Sequence, residues 1–356
     1  MRTLCKKIIA AGFIGLFLTT TAFAADKPKY TIAWSIYAGW MPWDYAGKQG
    51  IVKKWADKYG IEIEVVQIND YIESINQYTA GKFDACVMTN MDALTIPAAG
   101  GVDTTALIVG DYSDGNDGVI LKGKDKTLAD IKGQKVNLVE LSVSHYLLAR
   151  ALDTVGMKES DLKVVNTSDA DIVSAFSSTD VTSVVTWNPQ LSEILSSGAD
   201  AKEVFNSSQI PGEILDITMV NTTTIKAHPE LAKALVGAWF ETLHIMSQDN
   251  AKGKEARTLM GKASGTDLAG YNKQLKTTHM YYMPAAAVTL TASPQLVKTM
   301  DMVRNFSFDH GILGQGAKSV DVVGIEFPGG KTLGDTKNIK LRFTTDYMQM
   351  AADGKL

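Results

Sequence analysis

The sequence predicts an α/β protein of two lobes around a ligand cleft with a hinge. Three observations carry that expectation. Strand-like and helix-like segments alternate from Tyr30 to Val109, the rhythm of a mostly parallel sheet with helices on both faces. A polar, glycine-rich stretch, Gly110-Asp111-Tyr112-Ser113-Asp114-Gly115-Asn116-Asp117-Gly118, then reads as a crossover before a second α/β run. A strand at Ile214–Val220 leads back to the first lobe, so the chain crosses between lobes twice and can hinge there.

In the first lobe, Tyr30–Ser35 reads as a strand and Trp43–Tyr59 as a helix ended by Gly60. Glu62–Gln67 alternates charged and apolar residues, as a half-buried strand does. Asn69-Asp70 caps a helix that runs to Ala80 and closes at Gly81. Ala85–Thr89 is an apolar strand, Met91–Ala99 a helix, and Thr105–Val109 another strand. The second lobe opens with the strand Val119–Leu121 and continues through Leu128–Lys132 (helix), Lys135–Val139 (strand) and Ser144–Val155 (helix). Lys163–Val165 (strand), Asp169–Ser177 (helix), Val181–Trp187 (strand) and Pro189–Leu195 (helix) complete it. Helices are expected over about 228–248, 252–263 and 294–308. The lobes therefore divide as 25–112, 113–213 and a return over 214–310. A glycine- and lysine-rich extension over 311–356 holds a strand near Ile339–Phe343 and a final helix, with no role assigned to it.

Ahead of the fold, Arg2, Lys6 and Lys7, the apolar run Ile8–Leu18 and Ala22-Phe23-Ala24 have the three parts of a secretory signal cleaved after Ala24. The run is too short to span a bilayer. The mature chain is therefore expected in the periplasm. The full chain carries a net charge of −4, and losing three cations with residues 1–24 leaves −7. That balance opposes nucleic-acid and anionic-lipid partners. Cys5 leaves with the signal and Cys86 stays, so no internal disulfide can form. Stability must come from the core, for which roughly 330 residues suffice. A monomer is expected.

Sequence motifs for catalysis are missing. There is no H-E-x-x-H, no C-x-x-C and no i,i+4 pair among His145, His228, His244, His279 and His310, so a zinc site is not expected. Phosphate-loop, dinucleotide and nucleophile-elbow patterns are absent too. Asp111–Gly118 resembles a calcium loop in composition but not in spacing. The expectation is a binding protein without cofactor or metal.

What remains is recognition, for which domain interfaces and the carboxyl ends of strands are the favoured places. The turn Trp34-Ser35-Ile36-Tyr37-Ala38-Gly39-Trp40-Met41-Pro42-Trp43-Asp44 holds three of the six tryptophans and ends in an acid. Later strand ends offer Asn69-Asp70-Tyr71, Thr89-Asn90-Met91-Asp92 and Asp111-Tyr112. The second lobe adds Ser142-Val143-Ser144-His145, Trp187-Asn188 and Glu213 or Asp216. The expected ligand set is Tyr37, Trp40, Trp43, Asp44, Asp70, Asn90, Asp92, Asp111, Ser142, Ser144, His145, Trp187, Asn188 and Glu213. Acids and aromatics together favour a cation, through carboxylate pairing and the negative ring faces. Plainer roles stand beside these: Asp70, Ser142, Ser144 and Asn188 suit helix caps, Asp92 suits a first helical turn, and His145 suits a structural role. Trp34, Trp55 and Trp239 read as core.

Several of these segments together resemble the nitrate/sulfonate/taurine-type substrate-binding proteins of ABC importers. The aromatic turn, Ile75-Asn76-Gln77-Tyr78-Thr79-Ala80-Gly81-Lys82-Phe83-Asp84-Ala85, Leu128–Val136, Ser144–Leu148 and Val184–Pro189 carry the resemblance over about residues 28–250. It implies a type II periplasmic-binding-protein fold, a small-molecule ligand and an inner-membrane ABC permease as partner. Tyr37–Trp43, Val87–Leu94 and Gly110–Ser113 are most similar to the branch associated with urea-carboxylase-type enzymes, which implies urea or guanidine. Anion binders are expected to offer basic side chains or bare helix N-termini. Acids crowd those ends here, which favours guanidinium over neutral urea and leaves an alkanesulfonate such as taurine as the alternative. The same fold serves enzymes that make a thiamine pyrimidine; these are expected to be cysteine-rich and intracellular, unlike this chain.

Overall fold

The computed structural model describes residues 27–198, 200–314 and 317–356. The signal-sequence expectation over 1–24 lies outside these residues. Among them no helix is long and apolar enough to cross a membrane.

The first lobe begins with β1 (Lys29–Trp34), β2 (Glu62–Gln67), β3 (Ala85–Thr89) and β4 (Thr104–Ser113). The second is built from β5 (Asp117–Lys122), β6 (Lys135–Leu138), β7 (Lys163–Asn166), β8 (Ser183–Trp187) and β9 (Ala201–Asn206), in the order β7-β6-β8-β5-β9. The chain then returns as β10 (Leu215–Asn221), followed by β11 (Thr278–Met280), β12 (Gly324–Glu326), β13 (Thr332–Leu333) and β14 (Ile339–Phe343). The first-lobe order is β13-β12-β14-β4-β10-β3-β1-β2, with β11 also on β4. This is the two-lobed α/β architecture expected, but its sheets are mixed. β10 runs antiparallel to both β3 and β4, because it re-enters from the other lobe.

Several elements differ from expectation for local reasons. The helix expected over 43–59 is two, Met41–Lys48 and Ile51–Lys58, because Gly50 takes a left-handed conformation (φ 71°) between them. The segment 91–99 is one α-turn, Asn90–Ala93, followed by a wider turn over Leu94–Ala98 that accommodates Pro97. Leu128–Ile131 is a single tight turn held by reciprocal bonds between Thr127 and Asp130. The crossover expected over 110–118 is mostly strand: β4 runs on to Ser113, where β10 and β11 pair with Asp111 and Tyr112. Only Asp114–Asn116 turns, with Gly115 at φ 102°.

The extension after 310 acquires a structural role. β14 lies parallel on β4 and extends the first-lobe sheet, while Met348 of the final helix (Asp346–Ala352) is buried. Trp34 and Trp239 are core as expected. Trp55 is half-buried and donates to Glu241 at 2.7 Å. The core of the second lobe includes a small separate cluster around Ile120, Phe176 and Val184.

Candidate functional site

The return strand builds the site. Register places Asp216 of β10 opposite Thr89 of β3 on one side and Asp111 of β4 on the other. Because β10 is antiparallel, its first residues lie at the edge where β1, β3 and β4 end. In the second lobe, Asp117 at the head of β5 pairs in register with Trp187 at the end of β8. These two edges face each other across a small cavity lined by Tyr37, Trp40, Tyr71, Thr89, Asp117, Val143, Trp187, Ile214 and Asp216. All of them are buried. The cavity's volume is about 10 Å³, near the ~10–15 Å³ that admits one water, so the two edges are closed tightly on each other.

Aromatic rings make the walls. Trp40 packs on the edge of Tyr37 at 5.0 Å and lies 5.6 Å from Tyr71, which meets Trp187 edge-on at 5.5 Å. The Trp40 indole nitrogen has no hydrogen-bond partner although it is buried. Contacts between lobes seal the rim. Trp187 Nε1 donates to the Ile36 carbonyl (3.3 Å), the Ala38 amide to the Asn188 carbonyl (3.2 Å), and the Tyr71 amide to Asp169 (3.1 Å).

Carboxylates make the floor. Tyr37 donates to Asp111 Oδ1 at 2.9 Å, and Tyr71 to Asp92 Oδ2 at 2.6 Å. Asp117 accepts from Ser113 at 2.5 Å, and Ser113 is itself bonded to Ser207. Asp111 Oδ2 and Asp216 Oδ2 are buried without a partner. Burial is the largest cause raising each acid: Asp92 to about 6, Asp111 and Asp117 to about 7, and Asp216 well above the carboxylate range. Mutual repulsion adds to it, Asp111 and Asp117 both acting on Asp216. Among the described residues no lysine, arginine or histidine lines the cavity. Gly39 is required beside this floor, since a Cβ there would lie 2.4 Å from Tyr37 and 2.6 Å from Asp111 Oδ2.

The expected ligand set therefore divides. Tyr37, Trp40 and Trp187 line the cavity, and Asp92 and Asp111 lie just behind it. Others are engaged elsewhere. Trp43 packs on Trp239 (5.2 Å) in the first-lobe core, and Asp44 pairs with Lys48 at 2.8 Å on an outer face. Asp70 caps its helix through the Glu73 amide and accepts from Ser168 across the cleft. Asn90 ties the hinge by bonding the Glu213 carbonyl and the Leu215 amide. Ser142 caps the helix Val143–Thr154, while Ser144 is buried outside the cavity lining. His145 accepts from the Leu141 amide and lies 2.9 Å from Glu159. Asn188 accepts from Ser192 in the manner of a cap, while its backbone closes the rim. Glu213 is held by Tyr146 (2.6 Å) and by both Arg150 Nε (2.9 Å) and Nη2 (3.0 Å), so it has no charge to spare for a ligand.

Tyr71, Asp117 and Asp216 replace them. Tyr71 and Asp216 are among the strand-end residues named from the sequence, Asp216 as the alternative to Glu213, whereas Asp117 falls there only within the expected crossover. The usable signal was an acid embedded in an apolar strand, Leu215-Asp216-Ile217 and Asp117-Gly118-Val119-Ile120. A larger open groove lies between Lys226–Pro229 and Arg342–Tyr347; its Arg342 is already paired with Asp103 and Glu326. Among the described residues no His, Cys, Asp and Glu group could hold a metal ion.

The family model described as NMT1/THI5 like matches residues 45–251. The chain belongs to that family. It is 26% identical over 233 residues to a Brucella abortus (strain 2308) protein described as a binding protein, covering 65% of this chain and 70% of the relative. It is 22% identical over 141 residues to the taurine-binding periplasmic protein of Escherichia coli (strain K12), covering 40% of this chain and 44% of that one. In structure it is similar to the alkanesulfonate-binding protein SsuA of Xanthomonas axonopodis pv. citri bound to MOPS, with a TM-score of 0.67 and 16% identity over 82% of this chain and 96% of the other. At that identity the similarity is one of fold. The type II periplasmic-binding-protein expectation is therefore met.

Proposed function

We propose that the chain is the substrate-binding protein of an ABC importer, and that its lobes close on a small organic cation, guanidinium in preference to neutral urea. The single observation that carries the ligand is the cavity's chemistry: acids on its floor, aromatic rings on its walls and no basic side chain in its lining. A cation over a tryptophan or tyrosine face gains about 0.5–2 kcal/mol, and carboxylates can accept its N–H groups at the edges. Micromolar affinity needs about 8 kcal/mol, which such a set can reach when water is excluded. The relatives' names supply transport and the periplasm, in keeping with the signal-like N-terminus. The chain would act as a monomer delivering its ligand to a permease.

The relatives' names also supply the alternative of an alkanesulfonate. Buried carboxylates would repel a sulfonate, and Ser142 and Ser144, the hydroxyls at the start of the helix Val143–Thr154, do not line the cavity. Titration calorimetry with millimolar guanidinium chloride, urea and taurine separates these readings. Guanidinium is expected to bind most tightly and taurine not at all; heat with taurine alone would overturn the cation reading.

A further inference from the structure

The acids of this site are too many for the cation they are proposed to receive. A monovalent ligand can offset one negative charge. Asp111 and Asp216, with Asp117 and Asp92 beside them, would hold up to four in a water-excluded pocket if all were ionised. Like charges in one buried site cannot all ionise at neutral pH, so protons must remain on some of them. The geometry shows where. Asp111 and Asp216 are register partners on the adjacent strands β4 and β10, and both side chains are buried. Each has an oxygen with no donor. Protons held on the pair supply that donor.

Among the described residues, the groups facing the pair offer no alternative source of charge compensation. From the turn after β1, Tyr37 faces the pair with a neutral hydroxyl. Asp117 faces it from β5, and Thr89 lies opposite Asp216 on β3. From the helix Leu268–Leu275 and the segment after β11, Tyr271, Tyr281 and Tyr282 feel Asp111, all three raised by it and by burial. His279 is stacked on Tyr112 and exposed. Arg257 is the cation acting on Tyr271 and Tyr282, and it is committed to the carbonyls of Met246 and Gln248.

Resting on the ligand class proposed above, we infer that the Asp111–Asp216 pair is the charge discriminator of this protein: it is fully protonated and neutral while the cleft is empty, and it gives up one of its two protons when a cation is captured. The balance is simple. One O–H bond at the pair breaks, its proton leaves to solvent, the remaining proton stays shared between the two carboxyl groups, and the cation offsets the single negative charge that results at the cavity-lining Asp216. A neutral ligand cannot drive the exchange, because the ionised pair would be left uncompensated. Urea must therefore bind, if it binds, with the proton kept. Selectivity between two solutes of nearly equal size and shape then comes from charge exchange and depends on pH.

Calorimetry of the full mature chain at pH 6.5 in phosphate and in imidazole, buffers of different ionisation enthalpy, tests this with guanidinium chloride and urea as probes. The expected result is release of close to one proton per guanidinium, none for urea, and guanidinium affinity that rises up to about tenfold per pH unit between pH 5.5 and 7. Asp216→Asn and Asp111→Asn, which retain the shape of the pair, are each expected to lower the guanidinium-to-urea preference by at least about thirtyfold; a purely structural role would weaken both solutes alike. Guanidinium binding with no buffer dependence and a flat pH profile overturns the exchange while leaving the cation reading intact. Absence of heat with either solute overturns that reading and this inference together.

Discussion

Glu213 and Asp216 lie three residues apart on the way into β10, both are buried acids, and they have opposite uses. Glu213 points to the second lobe, where Arg150 grips both of its oxygens and Tyr146 donates a third bond. Asp216 points to the cleft, where its neighbours are Asp111, Asp117 and Tyr37 and it has no cation. The first carboxylate is neutralised within the fold and fastens the hinge. The second lacks an internal counter-charge, which leaves one to be supplied from outside. Burial alone does not mark a ligand acid; burial without an internal cation does.

The sharpest way to break this contrast is Asp216→Asn. Guanidinium binding should weaken by about 2–5 kcal/mol, as when one partner of a buried charge pair is removed, read by calorimetry. Stability should hold or rise, because a crowded like charge has gone. The melting profile gives an independent view. Asp92, Asp111 and Asp117 have folded pKa values of about 6 to 7, above the unfolded value near 4. Their contribution to stability is fully present below about pH 4 and is lost as pH rises through about 6 to 7. The ligand-free melting temperature should therefore fall between about pH 4 and 7, with a shallower fall in the Asp216→Asn protein.

Arg150→Met tests the other member of the pair. It leaves Glu213 with Tyr146 alone and should cost about 1.5–3 kcal/mol of stability by urea or thermal denaturation. Ligand affinity should stay within a few-fold of the parent; a large loss would place Glu213 in the ligand's reach after all. Trp187→Leu keeps an apolar wall but removes the ring face. Guanidinium should weaken by about 0.5–2 kcal/mol and urea by less. The smallest change is expected for Asp44→Asn, which breaks an outer pair with Lys48 worth about 0.2–1 kcal/mol and should not alter ligand binding.

Three of the four wall aromatics, Tyr37, Trp40 and Trp187, were legible in the sequence. A turn as rich in tryptophan as Trp34–Asp44, at the end of a strand, points to recognition because ligands bind at that edge. The separation of Trp40 from Trp43 was not legible. They are three residues apart at a helix start, so a modest rotation sends one ring to the cavity and the other onto Trp239. Acids misled for a similar reason. Asp44, Asp70 and Glu213 find partners at Lys48, the Glu73 amide and Arg150, and the most decisive of these, Arg150, is 63 residues from its partner.

The sequence by itself determined the α/β rhythm, the two lobes and the binding character, because hydrophobic period, caps and glycine stops act within a few residues. The tertiary structure decided the site. An antiparallel return strand had to place Asp216 between Thr89 and Asp111, and the second lobe had to bring Asp117 and Trp187 against them. Those neighbours come from strands scattered between residues 85 and 221. No local pattern specifies which buried acid will meet a cation and which will meet another acid; that is settled only when the sheets assemble.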